Sequence, residues 1–456
     1  MTQPNIILVN SDDLGYGDLG CYGSPINKTP ALDRMAEEGV KFTDFYMASP
    51  VCSPSRGAMM TGCYPPRIGF GEFGGEWVLF PGHPYGLHED ECTLPQLLRN
   101  AGYRTKLIGK WHCGDQPEFL PTERGFDEYY GLPYSNDMGR QAKGGRDVPL
   151  PLLRDEEVIQ EQPDQASLTE RYTEDAVRFL RENKNRPFFL YFAHMYVHVP
   201  LFVPQRFLDQ SDNGGYGGAV EHIDWTMSVL FHELERLGLD DNTLVIFTSD
   251  NGSRARDEGG SNAPLRGVKG STWEGGQRVP CIARWPGRIM PGRTCREVAT
   301  AMDFLPTFVK LAGGEPPGDR TLDGHDIGDL LFRENAVSPY SCFCYYKKNN
   351  LEAVRVGQWK LHLRKDQEEV RELYNLENDV GETVNLYEQE PETVKRLLDY
   401  AERARQDLGD AATGVTGSGV RPKGEVQNPQ TLTAYDPTHP YMVAMYDLPQ
   451  SKEMVG

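Results

Sequence analysis

A large α/β protein, with a mainly parallel sheet flanked by helices, is the fold class that the sequence predicts, and three observations indicate it. Apolar runs of strand length alternate with helix-type runs through the first two thirds of the 456-residue chain. Polar residues follow several of these runs, where the strands would end. After about residue 337 the apolar runs become shorter and are separated by hairpin-like gaps. Strand–helix alternation is typical of parallel sheets covered on both faces, whereas short, closely spaced strands favour a small antiparallel sheet.

The individual elements follow from apolar runs and helix-capping signals. The strands of the large sheet are apolar runs, predicted at 5–10, 104–108, 187–193 and 244–248. The helices of this part have helical periodicity, and they are predicted at 29–39, 92–100, 167–183 and 220–237. The first of them opens on Thr29-Pro30 and ends on Gly39, as capped helices do. The C-terminal sheet is predicted from short strands at 341–346, 352–356 and 359–363, and an amphipathic helix from 391–408.

Three segments are predicted from this pattern. Residues 1–336 form the α/β domain, and residues 337–408 form a C-terminal antiparallel subdomain. Residues 409–456 are rich in Gly, Pro, Thr and Ser and are interpreted as an extended arm. Such an arm can wrap its own domain or a neighbouring subunit, so a homo-oligomer held through the arm is one hypothesis.

Charge and composition exclude some partners and locations. The formal net charge of −20 argues against nucleic acid as a partner. No apolar run approaches the roughly 18–20 residues that span a bilayer, so no membrane span is expected. The chain opens without signal-peptide features, which predicts a cytoplasmic protein, or a periplasmic or secreted one if a leader was removed. The nine cysteines have no zinc-type spacing, and most are expected to be buried thiols.

Two polar pairs come directly after predicted strands. Asp12-Asp13 follows the first strand, and Asp250-Asn251 follows the strand that ends at residue 248. Functional side chains of an α/β sheet cluster at the carboxyl ends of its strands. Three carboxylates and one amide there are hard oxygen ligands that suit Ca²⁺ or Mg²⁺ rather than zinc. Taken alone, either pair is equally well explained as the cap of a turn.

The most specific motif lies at residues 50–62, which read P-V-C-S-P-S-R-G-A-M-M-T-G. This segment contains C-x-P-S-R, with Cys52 and Arg56, and residues 102–112 form a second block, G-Y-R-T-K-L-I-G-K-W-H. The two blocks resemble the two signatures of type I sulfatases of the alkaline-phosphatase superfamily. The likeness covers roughly residues 4–390 and is greatest to arylsulfatase A and N-acetylgalactosamine-6-sulfatase.

The resemblance implies a sulfuric ester hydrolase that cleaves sulfate monoesters of aryl or sugar alcohols, with residues 1–336 as the catalytic domain. A formylglycine-generating enzyme would oxidise Cys52 to formylglycine, and one hydroxyl of the hydrated aldehyde, a gem-diol, would attack sulfur. One divalent cation, Ca²⁺ on resemblance with Mg²⁺ as the alternative, would serve as Lewis acid and activate the nucleophile. The family pattern implies these metal ligands: Asp12, Asp13, Asp250, Asn251 and Cys52.

Cations and histidines complete the implied catalytic site. Arg56, Lys110 and Lys269 would neutralise charge on the sulfate oxygens and on the diol. His198 or Lys269 would protonate the departing alcohol. His112 would take a proton from the second hydroxyl, which expels sulfate and restores the aldehyde.

Three further residues are expected to contact the substrate: Ser135, Asp137 and His194. His194 and His198 follow the same predicted strand, and either could be the family's active-site histidine. That histidine stands two residues before a proline, as His198 does before Pro200, so His198 is favoured.

Two segments are candidates for recognising a sulfated glycan. Residues 70–88 are rich in glycine and offer three aromatic stacking faces: Trp77, Phe80 and Tyr85. Residues 136–148 are locally basic in an acidic protein and carry three cations: Arg140, Lys143 and Arg146. A packed surface loop and a solvated loop are the respective alternatives.

Two other functions are kept open. The same site could hydrolyse a phosphonate monoester or a phosphodiester, as other members of the superfamily do. If Cys52 is not matured, the chain would be a catalytically silent protein that binds sulfate esters.

Overall fold

The computed structural model describes residues 3–140, 148–366 and 368–441. Its strands, numbered in chain order, are β1 (Asn5–Ser11), β2 (Val40–Phe42), β3 (Phe45–Tyr46), β4 (Tyr85–Gly86), β5 (Arg104–Gly109), β6 (Glu128–Gly131), β7 (Pro151–Arg154), β8 (Glu157–Glu161), β9 (Phe188–Ala193), β10 (Thr243–Ser249), β11 (Cys281–Arg284), β12 (Arg293–Cys295), β13 (Ala299–Thr300), β14 (Phe343–Lys347), β15 (Asn350–Val356), β16 (Trp359–Lys365), β17 (Glu368–Asn375) and β18 (Gly424–Glu425). Its α-helices are α1 (Pro30–Glu37), α2 (Cys52–Thr61), α3 (Leu94–Asn100), α4 (Leu168–Asn183), α5 (Gln205–Leu208), α6 (Gly214–Leu237), α7 (Glu274–Gln277), α8 (Phe304–Leu311), α9 (Gly328–Phe332) and α10 (Pro391–Leu408).

Ten strands form the main sheet in the order β12-β2-β11-β10-β1-β9-β5-β6-β7-β8. Its five central strands, from β10 to β6, pair only in parallel with one another. On the flanks, β11 joins β10 and β7 joins β6 in antiparallel fashion. The predicted α/β fold with a mainly parallel sheet is confirmed, and its parallel part is the centre, where the first candidate metal ligands lie.

Helices cover both faces of the main sheet at β1, and every residue of this strand is buried. Ile6 and Leu8 face one core, which also contains residues of α2, α3 and α8. Ile7 and Val9 face a second core built with α1, α4 and α6. Successive side chains of a strand point to opposite faces, so one apolar strand supplies both cores.

The C-terminal subdomain is an antiparallel sheet in the order β14-β15-β16-β17, covered by α10. Val394, Leu397 and Ala401 lie on one stripe of α10 at helical spacing and pack against the sheet. The predicted small antiparallel sheet with a helix is therefore confirmed. Its fourth strand, β17, is missed by the sequence pattern because most of its residues are polar and partly exposed.

The described part of the C-terminal arm, 409–441, packs on its own chain. The short strand β18 pairs with β4, and the Arg421 guanidinium donates two hydrogen bonds to Glu91. Farther along, the Thr433 hydroxyl donates to the Pro149 carbonyl. Of the two predicted arrangements, these residues follow the one in which the arm wraps its own domain. The limits of the three predicted segments and an oligomer through the arm stay predictions.

Two predicted helices differ from the structure at their N-termini. The helix predicted from residue 92 begins at Leu94, because the Thr93 hydroxyl accepts a hydrogen bond from Gln96 and caps it. The helix predicted from residue 220 begins six residues earlier, at Gly214. Glycines such as Gly218 have low helix propensity, but a Cβ there would lie 3.2 Å from the Phe207 carbonyl oxygen, so the close approach of α5 favours glycine.

Candidate active site

The register of the central strands brings the polar residues of the site to one edge. Ser11 of β1 pairs with Ser249 of β10, so the Asp12 and Asp250 positions leave the sheet side by side. Ala193 of β9 pairs with Gly109 of β5, and Lys110 and His112 follow directly. Parallel strands end at a common edge, and this register is why residues nearly 240 positions apart in the chain meet there.

Cys52 is the first residue of α2, and Val51 before it is extended. The helix ends after Thr61 at Gly62, which adopts a left-handed conformation with φ of +68°, a common helix stop for glycine. Arg56 lies four residues after Cys52 and therefore one turn along the same face, as the motif predicts. The Cys52 side chain is buried, with 2% of its surface exposed.

Cys52 lies beside two of the predicted metal ligands. One donor atom each of Asp12, Cys52 and Asp250 lies within 4.8 Å of the others. Asp13 follows in a left-handed conformation, and its Oδ1 accepts a hydrogen bond of 2.7 Å from the Asn251 amide. The structure therefore assembles all five predicted ligands at the ends of β1, β10 and the start of α2.

Three cations face these carboxylates, and we call the six residues the active-site cluster: Asp12, Asp13, Asp250, Arg56, Lys110 and Lys269. Arg56 donates from Nε to Asp250 Oδ2 at 2.9 Å, and Lys110 donates to Asp12 Oδ2 at 2.6 Å. Lys269 donates to Asp13 Oδ2 at 3.0 Å. Arg56 and Lys110 have no exposed surface, whereas the Lys269 side chain is 10% exposed.

The pKa values of the carboxyl groups respond to this crowding. Burial and the neighbouring Asp12 carboxylate raise the pKa of Asp250 to about 6. At Asp13 burial also raises the pKa, but the charges of Lys269 and His198 outweigh it and hold the pKa well below its usual range. The three carboxylates and three cations cancel in formal charge, so a bound divalent cation would make the site positive. A positive site would attract an anionic ester even though the whole protein has a net charge of −20.

The donors fit a hard divalent cation. Asp12 Oδ1 and Asn251 Oδ1 are buried, and neither accepts a hydrogen bond from any residue that the structure describes. Buried acceptors without a donor are costly unless something else satisfies them. A cation held by carboxylate and amide oxygens would do so, and it would relieve the repulsion that raises the pKa of Asp250.

His112 has one ring nitrogen bonded and the other without a partner. Its Nε2 lies 2.9 Å from the Leu79 carbonyl oxygen, which can only accept, so Nε2 carries the proton. Its Nδ1 is buried without a hydrogen-bond partner in the described ranges. Burial, followed by the charge of Lys110, holds the pKa of His112 well below its usual range. The ring is therefore a neutral base with a free lone pair.

His198 faces the cluster, with Ser135 between it and Lys110. The Ser135 hydroxyl lies 3.2 Å from Lys110 Nζ and 3.5 Å from His198 Nε2, and this nitrogen lies 3.8 Å from Asp13 Oδ2. His198 Nδ1 donates to the Val199 carbonyl at 2.6 Å, which fixes the ring orientation. Burial and then the charge of Lys269 lower the pKa of His198 to about 4, while the charges of Asp13 and Asp137 act in the opposite direction.

The structure does not bring His194 to this cluster. Its ring lies 4.4 Å from that of Phe192, and burial followed by the charge of His222 on α6 lowers its pKa to about 3. The two histidines that follow β9 therefore have different neighbours: His198 lies near Asp13, and His194 packs on Phe192. A substrate contact by His194 stays a prediction.

Two residues that support the site escape the sequence prediction. The Ser55 hydroxyl donates to the Asp250 carbonyl at 2.5 Å and ties α2 to the end of β10. The Ser53 hydroxyl accepts from Leu79 N at 3.1 Å, and thereby positions the carbonyl that holds His112. Both serines belong to the C-x-P-S-R motif, so the motif marks their positions. Their hydrogen-bond partners are distant in the sequence, and the motif does not predict them.

Side chains of the two candidate recognition segments differ in exposure and in their contacts. Trp77 is 38% exposed, whereas His83 is buried and Tyr85 faces the Lys423 ammonium of the arm at 4.5 Å. The Arg140 guanidinium faces the Tyr435 ring at 4.7 Å. Lys143 and Arg146 lie outside the described residues. The predicted roles of both segments stay predictions.

The cysteines agree with the sequence prediction. All nine cysteines are free thiols, and most are buried. No described helix combines the length and the apolar character required to cross a bilayer.

Comparison with known proteins identifies the family. The family model described as Sulfatase matches residues 4–314, and the model described as N-sulphoglucosamine sulphohydrolase, C-terminal, matches residues 269–406. The chain is 40% identical over 382 residues to N-acetylgalactosamine-6-sulfatase of Rattus norvegicus, covering 79% of this chain and 71% of that protein. It is 41% identical over 383 residues to arylsulfatase A of Homo sapiens, covering 79% of this chain and 74% of that protein.

The fold comparison agrees. The crystal structure of Ps i-CgsB in complex with k-i-k-neocarrahexaose superimposes with a TM-score of 0.79 at 31% identity, covering 88% of this chain and 92% of that chain. The large sheet and the small C-terminal sheet are those of the alkaline-phosphatase-like fold of sulfatases. A family match over residues 4–314, together with relatives at 40% identity, shows that this chain belongs to the sulfatase family and is an enzyme that hydrolyses sulfate esters.

Proposed function

We propose that the enzyme uses formylglycine, formed from Cys52, to hydrolyse sulfate esters of ring-bearing alcohols, with Ca²⁺ at the adjacent oxygen cluster. The observation that carries the proposal is the meeting of Cys52, Asp12 and Asp250 within 4.8 Å, surrounded by Arg56 and Lys110. A cysteine at the first position of a helix also lies where backbone N–H groups favour an anion.

Cys52 itself is a poor nucleophile in this environment. Burial raises the pKa of its thiol to about 11, even though the nearby Lys110 charge opposes the shift. The thiolate is the reactive form of cysteine, and at neutral pH almost none of it would be present. An aldehyde made from Cys52 would instead supply, after hydration, two hydroxyl groups at the same position.

Side chains of the site can supply the remaining functions, which are charge neutralisation and two proton transfers. Arg56, Lys110 and Lys269 are placed to neutralise sulfate charge without reorganisation. The free Nδ1 of His112 is suited to take the proton from the second hydroxyl, which releases sulfate. Lys269, which donates to Asp13, carries a proton that it can deliver to the leaving alcohol. His198, whose Nε2 lies 3.8 Å from Asp13, can act as this acid only in its protonated form, because its pKa is lowered to about 4.

The metal would be held by oxygens of Asp12, Asp13, Asp250 and Asn251, together with the modified Cys52. When bound, a divalent cation supplies Lewis-acid stabilisation of charge on oxygen. An all-oxygen donor set suits Ca²⁺ and does not exclude Mg²⁺, which is the alternative.

Trp77 supports a ring-bearing substrate. A Cβ on Gly270 would lie 2.9 Å from Trp77 Cζ3, so the indole packs directly on the residue after Lys269. The Gly270 N–H donates to the Pro50 carbonyl at 2.9 Å, which ties this patch to the segment before Cys52. An exposed indole beside the sulfate site can stack on a sugar or an aryl ring. The named substrates of the relatives, an N-acetylgalactosamine sulfate and an aryl sulfate, both carry such a ring.

The decisive experiment is the mass of the tryptic peptide that contains Cys52, combined with turnover of an aryl sulfate in the presence and absence of a chelator. Conversion of the thiol to the aldehyde lowers the peptide mass by about 18 Da, and turnover should then depend on the metal. A normal thiol mass with full turnover would contradict the proposal. An aryl phosphonate assayed in parallel tests the alternative ester, which should react much more slowly.

Trp77→Ala tests the substrate class. Loss of one aromatic contact of about 1 kcal/mol should raise KM for a sulfated sugar or aryl sulfate roughly fivefold. Trp77→Phe should retain most of the affinity, and KM for a short alkyl sulfate should not change. An unchanged KM for ring-bearing substrates in Trp77→Ala would contradict the stacking role.

A further inference from the structure

The segment that carries Lys269 lies between the active site and the C-terminal sheet. Its Lys269 N–H donates to the Ser253 carbonyl at 3.0 Å, next to the metal-ligand loop. The Ser271 N–H donates to the Val268 carbonyl at 3.0 Å, which closes a tight turn with Lys269 and Gly270 at its two central positions. Gly270 has φ of +82°, as a glycine-specific turn requires.

The residues directly after this turn are bound by the C-terminal subdomain. Lys360 of β16 is wholly buried, and its ammonium donates to the Thr272 carbonyl at 2.8 Å and to Glu274 Oε1 at 2.9 Å. The same ammonium lies 2.9 Å from Glu382 Oε1 and 4.0 Å from the centre of the Tyr345 ring. Lys360 thus holds a backbone carbonyl three residues from Lys269.

Further contacts restrain the same short stretch. The Thr272 hydroxyl donates to Glu352 at 2.7 Å, and the Glu274 N–H donates to Glu382 Oε2 at 2.8 Å. The Trp273 ring lies 4.6 Å from the ring of His362. Each residue of 272–274 is therefore bound by a side chain from beyond residue 350.

We propose that Lys360 is a positioning residue for Lys269: by holding the Thr272 carbonyl, the C-terminal subdomain sets the place of the lysine that neutralises sulfate. The inference rests on the proposed role of Lys269. The Lys360 ammonium has three acceptors, and it restrains the Thr272 backbone through hydrogen-bond geometry, which an apolar side chain of equal volume does not have. Only the tight turn separates the Thr272 carbonyl from Lys269, so a shift of this carbonyl would also move Nζ of Lys269.

A double-mutant cycle tests this inference. Lys360→Met should lower kcat/KM for an aryl sulfate by roughly tenfold to hundredfold, as a displacement near 1 Å does. In a Lys269→Ala background, Lys360→Met should produce little further loss, because the group that it positions is already absent. Equal losses in both backgrounds would overturn the inference.

Arg278→Met is the matched control. Arg278 also contacts Glu274, at 3.2 Å, but its other partners, Asp44 and Thr43, lie away from the Lys269 turn. This variant should lose stability while its kcat/KM stays unchanged. A loss of kcat/KM as large as that of Lys360→Met would show a general effect of the ion cluster and would overturn the inference.

Thr272→Val covers the case in which Lys360→Met does not fold. It removes only the hydroxyl bond to Glu352, so it should lower kcat/KM by a smaller factor that again disappears in Lys269→Ala. Persistence of that factor in the double mutant would overturn the inference. If Lys269→Ala alone left kcat/KM unchanged, the proposed role of Lys269 would be wrong, and this outcome is separate from the additivity result.

Discussion

Two buried ion clusters in this protein have equal numbers of carboxylates and cations, but they differ in how completely their carboxylate oxygens are hydrogen-bonded. The active-site cluster has three carboxylates and three cations at the ends of β1 and β10. The second, which we call the structural cluster, also has three of each, at the base of the C-terminal sheet: Asp44, Glu274, Glu382, Arg278, Arg355 and Lys360.

In the structural cluster the Glu274 carboxylate is fully bonded. Its Oε1 accepts from Tyr345 at 2.7 Å and from Lys360, and its Oε2 accepts from Tyr46 at 2.5 Å and from Arg278. Burial raises the pKa of Glu274, but the Lys360 and Arg278 charges outweigh it and hold the pKa well below its usual range.

The active-site cluster has no such closure. Asp12 Oδ1, and Oδ1 of Asn251 beside the cluster, accept no hydrogen bond within the part of the chain that the structure describes. Both clusters are buried and balanced in formal charge, so neither property separates the binding site from the structural ion network. The difference lies in the acceptor oxygens that have no hydrogen-bond donor. Unpaired acceptors are costly, so they persist where a ligand completes them.

The largest effect should come from Cys52, which lies beside the active-site cluster. Cys52→Ala should lower kcat/KM by at least roughly 10⁴-fold, as removal of a nucleophile does. Asp12 and Asp250 keep their cations in this variant, so the thermal unfolding midpoint should change little. Turnover and thermal denaturation measure the two quantities, and most of the activity surviving in Cys52→Ala would disprove the nucleophile.

His112→Ala should separate the two halves of the reaction. Loss of a general base costs about 10²–10⁴-fold in rate. Because His112 is assigned to sulfate release, the first half should proceed, and one equivalent of alcohol per active site should appear as a burst. Rapid-mixing kinetics with a chromogenic aryl sulfate measure this burst, and a linear time course at the reduced rate would count against the assignment.

Added Ca²⁺ should stabilise the protein through the active-site cluster and not through the structural cluster. Ca²⁺ at 100 times its Kd should stabilise the folded protein by about 2.7 kcal/mol, because it completes the unpaired acceptors. Asp12→Asn should remove most of this stabilisation. Asp175→Asn is the control, because Asp175 is buried and bound to Lys106 at 2.6 Å outside the active-site cluster.

Thermal shifts with Ca²⁺, Mg²⁺ and a chelator measure the metal effect in all three proteins. An equal response to Ca²⁺ in Asp12→Asn and wild type would place the cation elsewhere. A larger shift with Mg²⁺ than with Ca²⁺ would favour the alternative metal.

The smallest effect on catalysis should come from Arg278, a member of the structural cluster that forms no hydrogen bond to the Lys269 turn. Arg278→Met leaves part of the charge of Asp44 and Glu274 uncompensated in a buried place, and should cost about 3 kcal/mol of stability. Denaturant unfolding measures this loss, and kcat/KM of the folded fraction should match wild type. An unchanged unfolding midpoint would show that Arg355 and Lys360 compensate fully.

The sequence by itself determined the chemistry available to the enzyme. The spacing of Cys52 and Arg56 predicts their common helix face, and the polar pairs after β1 and β10 predict the oxygen cluster, because local spacing and strand ends are properties of the chain. The fold class, the two sheets and the family also follow from periodicity and motifs.

Only the tertiary structure decided which side chains meet. It separates His198 from His194, which follow the same strand, because one ring faces Asp13 and the other packs on Phe192. It leaves Nδ1 of His112 free by placing the Leu79 carbonyl at Nε2. It also brings Lys360 to the turn of Lys269. These contacts join residues far apart in the chain, and no local pattern encodes them, because they depend on sheet register and on how the C-terminal subdomain docks.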